Sequence, residues 1–213
     1  MSARLGPIHQ WLYNQIKLVE EREEEIVETF KEEYGSEVEE LANELREEYG
    51  ALKGGYPLAE LIGNSQIHPW LEGAIKTAQT REAAMAKRLM NEYDNKELLL
   101  KVYKEHGKMA AKNASEEASD NDLETAFELL TNNFVERMPC DRLSSVVKNE
   151  EDKIVWRHSI KLHVEFWQAV GVSEKLMHQL YSSWIKGFIK AINSNIKHHR
   201  DVTDEYYDDI FAL

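Results

Sequence analysis

One cysteine, Cys140, stands in 213 residues, so the chain can close no intramolecular disulfide and build no cysteine-rich zinc site. No apolar run approaches the roughly 18 residues that a bilayer span requires, and Met1–Trp11 lacks the charged and apolar regions of a secretion signal. A cytoplasmic protein without a membrane partner is therefore expected. No block rich in Lys and Arg stands out, and 26 basic against 39 acidic side chains leave a formal charge of −13. Such a surface repels a phosphate backbone, which argues against nucleic acid as a partner. The chain also lacks a Walker loop, a Gly-x-Gly-x-x-Gly segment and a Gly-x-Ser-x-Gly elbow, the usual marks of nucleotide binding and serine hydrolysis.

The acidic excess is unevenly spread. Residues 1–66 carry 6 basic and 15 acidic side chains, net −9, whereas residues 67–213 carry 20 and 24, net −4. The change coincides with an internal repeat. At an offset of 59, Ile8-His9-Gln10-Trp11-Leu12 meets Ile67-His68-Pro69-Trp70-Leu71, and ten of 28 aligned positions are identical. Both copies carry one apolar stripe, Ile8, Leu12, Ile16, Val19, Ile26, Phe30 and Tyr34 in the first. Its three- and four-residue steps predict an amphipathic helix of about 27 residues. A second helix follows in each copy, so the unit is a helical hairpin, and two hairpins bury their stripes as a bundle. In the one skipped turn of each stripe stand Glu23 and Glu82, carboxylates pointing with the apolar face, where an unpaired charge is costly. Arg22 and Arg81 adjoin them and can reach a neighbouring helix as partners. No Glu-x-x-His occurs, which removes the usual di-iron ligand set of bundles.

Beyond Asp122 the pattern changes. One more helix spans Asp122–Met138, and after Pro139 the period drops to two. Leu143–Lys148 and Lys153–Ser159 read as a β-hairpin, and two helices follow, the second capped by Ser173 after Gly171. Two alternating segments close the chain: Ile196, His198 and Arg200, then Tyr206, Asp208 and Ile210. The expected fold is α+β and predominantly helical, a duplicated hairpin (1–66 with its linker, then 67–121) followed by a small antiparallel-sheet domain, 122–213, of order β-β-α-α-β-β packed on the helices.

Phe166-Trp167-Gln168-Ala169-Val170-Gly171-Val172, then Leu180-Tyr181-Ser182, Gly187-Phe188 and Asp204-Glu205-Tyr206-Tyr207-Asp208 resemble elements of the L-2-amino-thiazoline-4-carboxylic acid hydrolase-like family. The resemblance covers residues 92–213. It implies an enzyme of hydrolase type acting on a small polar or heterocyclic molecule. Where that family carries cysteines, this chain has Lys161 or His163, Ser182 and Tyr207, so any related chemistry has to run without thiols.

Histidines are the natural substitutes. His158, His163 and Glu165 fall within eight residues at a strand-to-helix junction, which makes His163 the candidate general base, Glu165 its orienting partner and His158 a third catalytic group. Arg200, His198, Trp167 and Tyr207 are candidates for binding substrate. His158, His163 and His178 are the residues that would hold a divalent metal, zinc, manganese or iron. Arg142 offers a second fork for a carboxylate, His106 on an apolar stripe reads as a hydrogen-bonded core histidine, and Cys140 as a buried thiol. The alternative to an enzyme is a non-catalytic ligand-binding or sensory module that forms homo-oligomers through its hairpins.

Overall fold

A computed structural model describes residues 5–116 and 120–213. Residues 1–4, part of the segment judged for a secretion signal, and 117–119, at the end of the second hairpin unit, lie outside the described residues. The elements in chain order are α1 (Pro7–Tyr34), α2 (Glu37–Tyr49), α3 (Leu58–Ile62), α4 (Ile67–Tyr93), α5 (Lys96–Ala114), α6 (Leu123–Asn133), β1 (Ser144–Glu150), β2 (Lys153–Ser159), α7 (Val164–Val170), α8 (Glu174–Ile192), β3 (Lys197–Val202) and β4 (Tyr206–Ala212). The fold is α+β and predominantly helical, with the expected β-β-α-α-β-β order at the C-terminal end. The helix expected over Asp122–Met138 is shorter: Asp122 caps it through its side chain on the Thr125 amide, and Phe134 turns extended. Among the described residues no helix is long and apolar enough to cross a membrane.

The repeat folds as a pseudo-twofold. Equivalent positions of α1 and α4 meet side by side: His9 Nε2 lies 3.2 Å from His68 Nε2, and Tyr34 stacks on Tyr93 with ring centroids 4.2 Å apart. The two long helices thus run in the same direction in register. Their skipped turns exchange partners across the axis. Arg22 Nε donates to Glu82 at 2.6 Å and Arg81 Nε to Glu23 at 2.5 Å. Glu82 also accepts from the Tyr103 and Tyr181 hydroxyls at 2.8 and 2.9 Å, and Arg81 reaches Glu20 and the Gly50 carbonyl. All four charged groups of the exchange are buried. Each buried charge therefore has an opposite charge, and Glu23, Glu82 and Arg81 have further hydrogen bonds while the Arg22 guanidinium lies over the Tyr103, Tyr181 and Trp184 rings, the conditions under which such burial is tolerated. The second helices exchange too, α2 packing on α4 and α5 on α1.

The sheet has strand order β1-β2-β4-β3, antiparallel throughout. Its inner face carries Ile154, Trp156 and His158 of β2 and Tyr207, Asp209 and Phe211 of β4, and α8 packs on β3. α5 and α8 form the closest helix contact. A Cβ on Gly107 would sit 2.2 Å from the Trp184 carbonyl oxygen, and one on Gly187 would sit 2.1 Å from that of Lys104. Only glycine at both positions lets the backbones approach this far. One continuous apolar core runs from Ile26 and Phe30 of the first hairpin through Leu99 and Trp184 to Trp156 and Phe211 of the sheet.

Candidate functional site

Side chains alternate along a strand, so the inner face of β4 gathers Tyr207 and Asp209 opposite His158 and Trp156 of β2 and next to Arg200 of β3. Asp209, fully buried, is the hub. Arg200 binds it through two parallel hydrogen bonds, Nε at 2.8 Å and Nη2 at 2.7 Å. His198 Nε2 donates to it at 2.7 Å, and His158 Nε2 faces it at 3.1 Å. Burial alone would raise the Asp209 carboxyl, but Arg200 and the two imidazoles outweigh burial and hold it well below the ordinary carboxylate range. His158 Nδ1 faces Glu136 at 3.3 Å. Burial disfavours its cation, yet the two flanking carboxylates prevail and raise its pKa.

His163 is locked rather than poised. Tyr207 donates its hydroxyl to Nδ1 at 2.7 Å, and Nε2 donates to the Val135 carbonyl at 3.2 Å. The ring is fully buried, which depresses its pKa well below the usual histidine value. Both nitrogens are engaged, so neither is available to take a proton from a substrate. Glu165 does not orient it. Positions i and i+2 of a helix lie on different faces, and Glu165 is exposed, paired with Arg137. The expected His163–Glu165 partnership is therefore corrected to His163–Tyr207. Trp167 and Tyr207 are also fully buried, the former stacked on the His163 ring.

The open cavity lies on the other side of this cluster. A cleft of about 810 Å³ runs between the start of α5, one face of α8, and the end of β3. Lys175, His178, Gln179, Ser182 and Lys186 of α8 line it at helical spacing, joined by Arg200 from β3. Lys96 and Leu100 of α5 form the facing wall. His178 is 7% exposed, its Nδ1 lies 3.5 Å from Arg200 Nη1, and its Nε2 is buried without a hydrogen-bond partner among the described residues. Burial, helped by Arg200, lowers its pKa to about 4, so the ring is neutral at pH 7. Of the residues singled out in the sequence, His178, Ser182 and Arg200 line this cleft. His158, His163, His198, Trp167 and Tyr207 lie in the core beneath it, and Glu165 lies at the surface elsewhere.

The sequence-derived metal set of His158, His163 and His178 does not converge as ligands: among the described residues no group of three or more His, Cys, Asp or Glu side chains is placed to hold a metal ion. Cys140, expected to be buried, is exposed on the turn Pro139–Asp141. Arg142 lines a smaller recess with Glu136 and Ser144. His106 is a core histidine that accepts a hydrogen bond on Nδ1 from the Trp184 indole at 2.8 Å, while its Nε2 is buried without a partner among the described residues. Asp209 and Glu136 escaped the sequence reading. The signal for Asp209 was its alternation with Tyr207 and Phe211, the second of two overlapping period-two patterns in the last strand.

No protein-family model matches the chain, and no curated protein matches it. A solved structure reported as "Probing the function of heme distortion in the H-NOX family" aligns over 89% of this chain and 91% of its own, at 13% identity and a TM-score of 0.39. That similarity is too low to establish a common fold.

Proposed function

We propose that the protein is a small-molecule-binding module whose ligand occupies the cleft between α5, α8 and β3. The observation that carries this reading is the pairing, on the wall of a cleft of about 810 Å³, of a buried imidazole nitrogen that lacks a partner with a buried guanidinium. The volume lies in the range that encloses a metabolite-sized ligand, and a few convergent polar groups in such a space fix orientation. A buried polar atom without a partner costs free energy, and a ligand that supplies the partner recovers it. Hydrolysis through His163 is the weaker reading, because that ring is sealed from the cleft by its own hydrogen bonds.

Screening a metabolite library by thermal shift, with each hit re-examined by mass spectrometry after incubation, tests the reading. Saturable stabilisation with the compound recovered unchanged is the expected result. Conversion of a hit to product, abolished by His178→Gln, would replace the module with an enzyme.

A further inference from the structure

The charges on the cleft wall define what it takes. The chain as a whole is acidic, net −13, yet Lys96, Lys175 and Lys186 line this cleft and none has an ion-pair partner among the described residues. Two acids, Glu174 and Asp204, stand on the same wall, and Glu174 accepts a hydrogen bond from Gln168 at 2.9 Å. Cations are thus concentrated and unpaired where the rest of the surface is anionic.

The cations gather at one end. Ser183 bonds to the Leu100 carbonyl, Gly187 abuts Lys104 and Gly107 abuts Trp184, offsets of 83, 83 and 77, so α5 and α8 run in the same direction and Lys96 comes level with the first turns of α8. Both 19-residue helices therefore begin at this end of the cleft, and the positive poles of their dipoles reinforce Lys96 and Lys175 there. His178 and Arg200 lie at the same end, with the unpartnered His178 Nε2 as a buried donor, since Nδ1 takes the Arg200 proton. Lys186 stands about 16 Å along α8 from Lys175, at 1.5 Å per residue.

These groups distinguish one anion from another. A carboxylate is read best by a planar guanidinium fork, but the fork of Arg200 is already filled by Asp209. What remains is a set of separate point donors: two ammonium groups, an imidazole N–H and the second N–H of the outer guanidinium nitrogen, whose first is given to His178. Separate point donors suit a tetrahedral phosphoryl group, which spreads its charge over three oxygens. The remaining wall, with Gln179, Ser182 and Thr203 among Leu100, Ile160 and Val202, suits a hydroxylated body. We propose that the ligand is an organic phosphate monoester, its phosphoryl group held between Lys96, Lys175, His178 and Arg200 at the end where α5 and α8 begin. The inference rests on the binding-module reading and names its ligand class.

Calorimetric titration of the full chain with ribose 5-phosphate, ribose, inorganic phosphate and succinate tests it. Ribose 5-phosphate is expected to bind at least tenfold more tightly than ribose or succinate, with inorganic phosphate between them and affinity falling as salt rises. Lys175→Gln and Lys96→Gln, both at surface positions that leave the core intact, are each expected to weaken ribose 5-phosphate about tenfold. Lys17→Gln, a lysine on a distant helix, is expected to leave it unchanged. Equal binding of ribose and its phosphate, tighter binding of succinate, or no heat from either phosphate at millimolar concentration overturns the phosphate inference. A neutral library compound whose binding is lost in His178→Gln would overturn it too, while leaving the binding module standing.

Discussion

Replacing His106 with asparagine isolates the energetic consequence of a neutral histidine in the core. The ring accepts the Trp184 indole proton on Nδ1 at 2.8 Å, and burial, then the nearby Arg22, lowers its pKa to about 3 from 6.5. An unfolded ring therefore binds a proton as pH falls below 6.5 while the folded one does not. Stability held above pH 6.5 is given up progressively down to pH 3, the sense expected when the unfolded state binds more protons. Between pH 7 and pH 5 the group titrates over about 1.5 units below its unfolded value, which at 1.36 kcal/mol per unit is about 2 kcal/mol. Asparagine keeps an oxygen acceptor for the indole and removes the titration. Urea unfolding at pH 7 and pH 5 reads the difference directly: the wild-type protein is expected to lose about 2 kcal/mol more than His106→Asn over this interval. Parallel pH dependences in the two proteins would refute the assignment of His106 as a buried neutral ring. His178, His163 and His198, all lowered chiefly by burial, push the wild-type protein in the same direction. His158, raised by its carboxylates, opposes them: its stabilisation is present below pH 6.5 and is lost as pH rises through its folded value.

Other perturbations probe the frame around the cleft. Gly107→Ala or Gly187→Ala drives a methyl group into facing backbone and is expected to cost about 3 kcal/mol or more in urea unfolding, with the cleft distorted because α5 is one of its walls. Glu82→Gln removes the charge that pairs with buried Arg22 and should destabilise by about 3–5 kcal/mol, an effect that would be absent if the reciprocal exchange between the two repeats were incidental. Asp209→Asn leaves the Arg200 guanidinium buried without its counter-charge. A loss of about 3–5 kcal/mol is expected there as well, together with weaker ligand binding, measured by calorimetry on whatever fraction stays folded at low temperature.

The duplicated helix was legible because its signal is strong and local: pentapeptides identical at four of five positions, one stripe, and an Arg-Glu step in the same skipped turn. That step pointed to partners on a neighbouring helix, and the structure supplies them as the crossed pairs Arg22–Glu82 and Arg81–Glu23. The β-β-α-α-β-β order of elements was legible from the change of period after Pro139. The inner face of β4 was not. Tyr206, Asp208 and Ile210 alternate as plausibly as Tyr207, Asp209 and Phe211, each set holding two apolar residues and a carboxylate. A one-residue shift in register exchanges the two faces of a strand. Packing decides between them: on the neighbouring strand Arg200 brings its charge and His198 a hydrogen bond to Asp209, while Arg157 takes Asp208. The same limit governs the histidines. Their proximity in sequence, from His158 to His163, is real, but sequence spacing carries no account of the Val135 carbonyl and Tyr207 hydroxyl that occupy His163. His178 drew notice only as a metal ligand. What singles it out is a cleft built from α5, α8 and β3, elements about 80 and 20 residues apart in the chain.

Whether function resides in the cleft or in the histidine core beneath it is decided by the ring-nitrogen NMR signals of His178 and His163 during a titration with ribose 5-phosphate. The His178 Nε2 signal is expected to move with ligand and saturate, while the His163 signals, held by Tyr207 and Val135, stay in place. Saturable movement of His163 with His178 unchanged would contradict binding in the cleft.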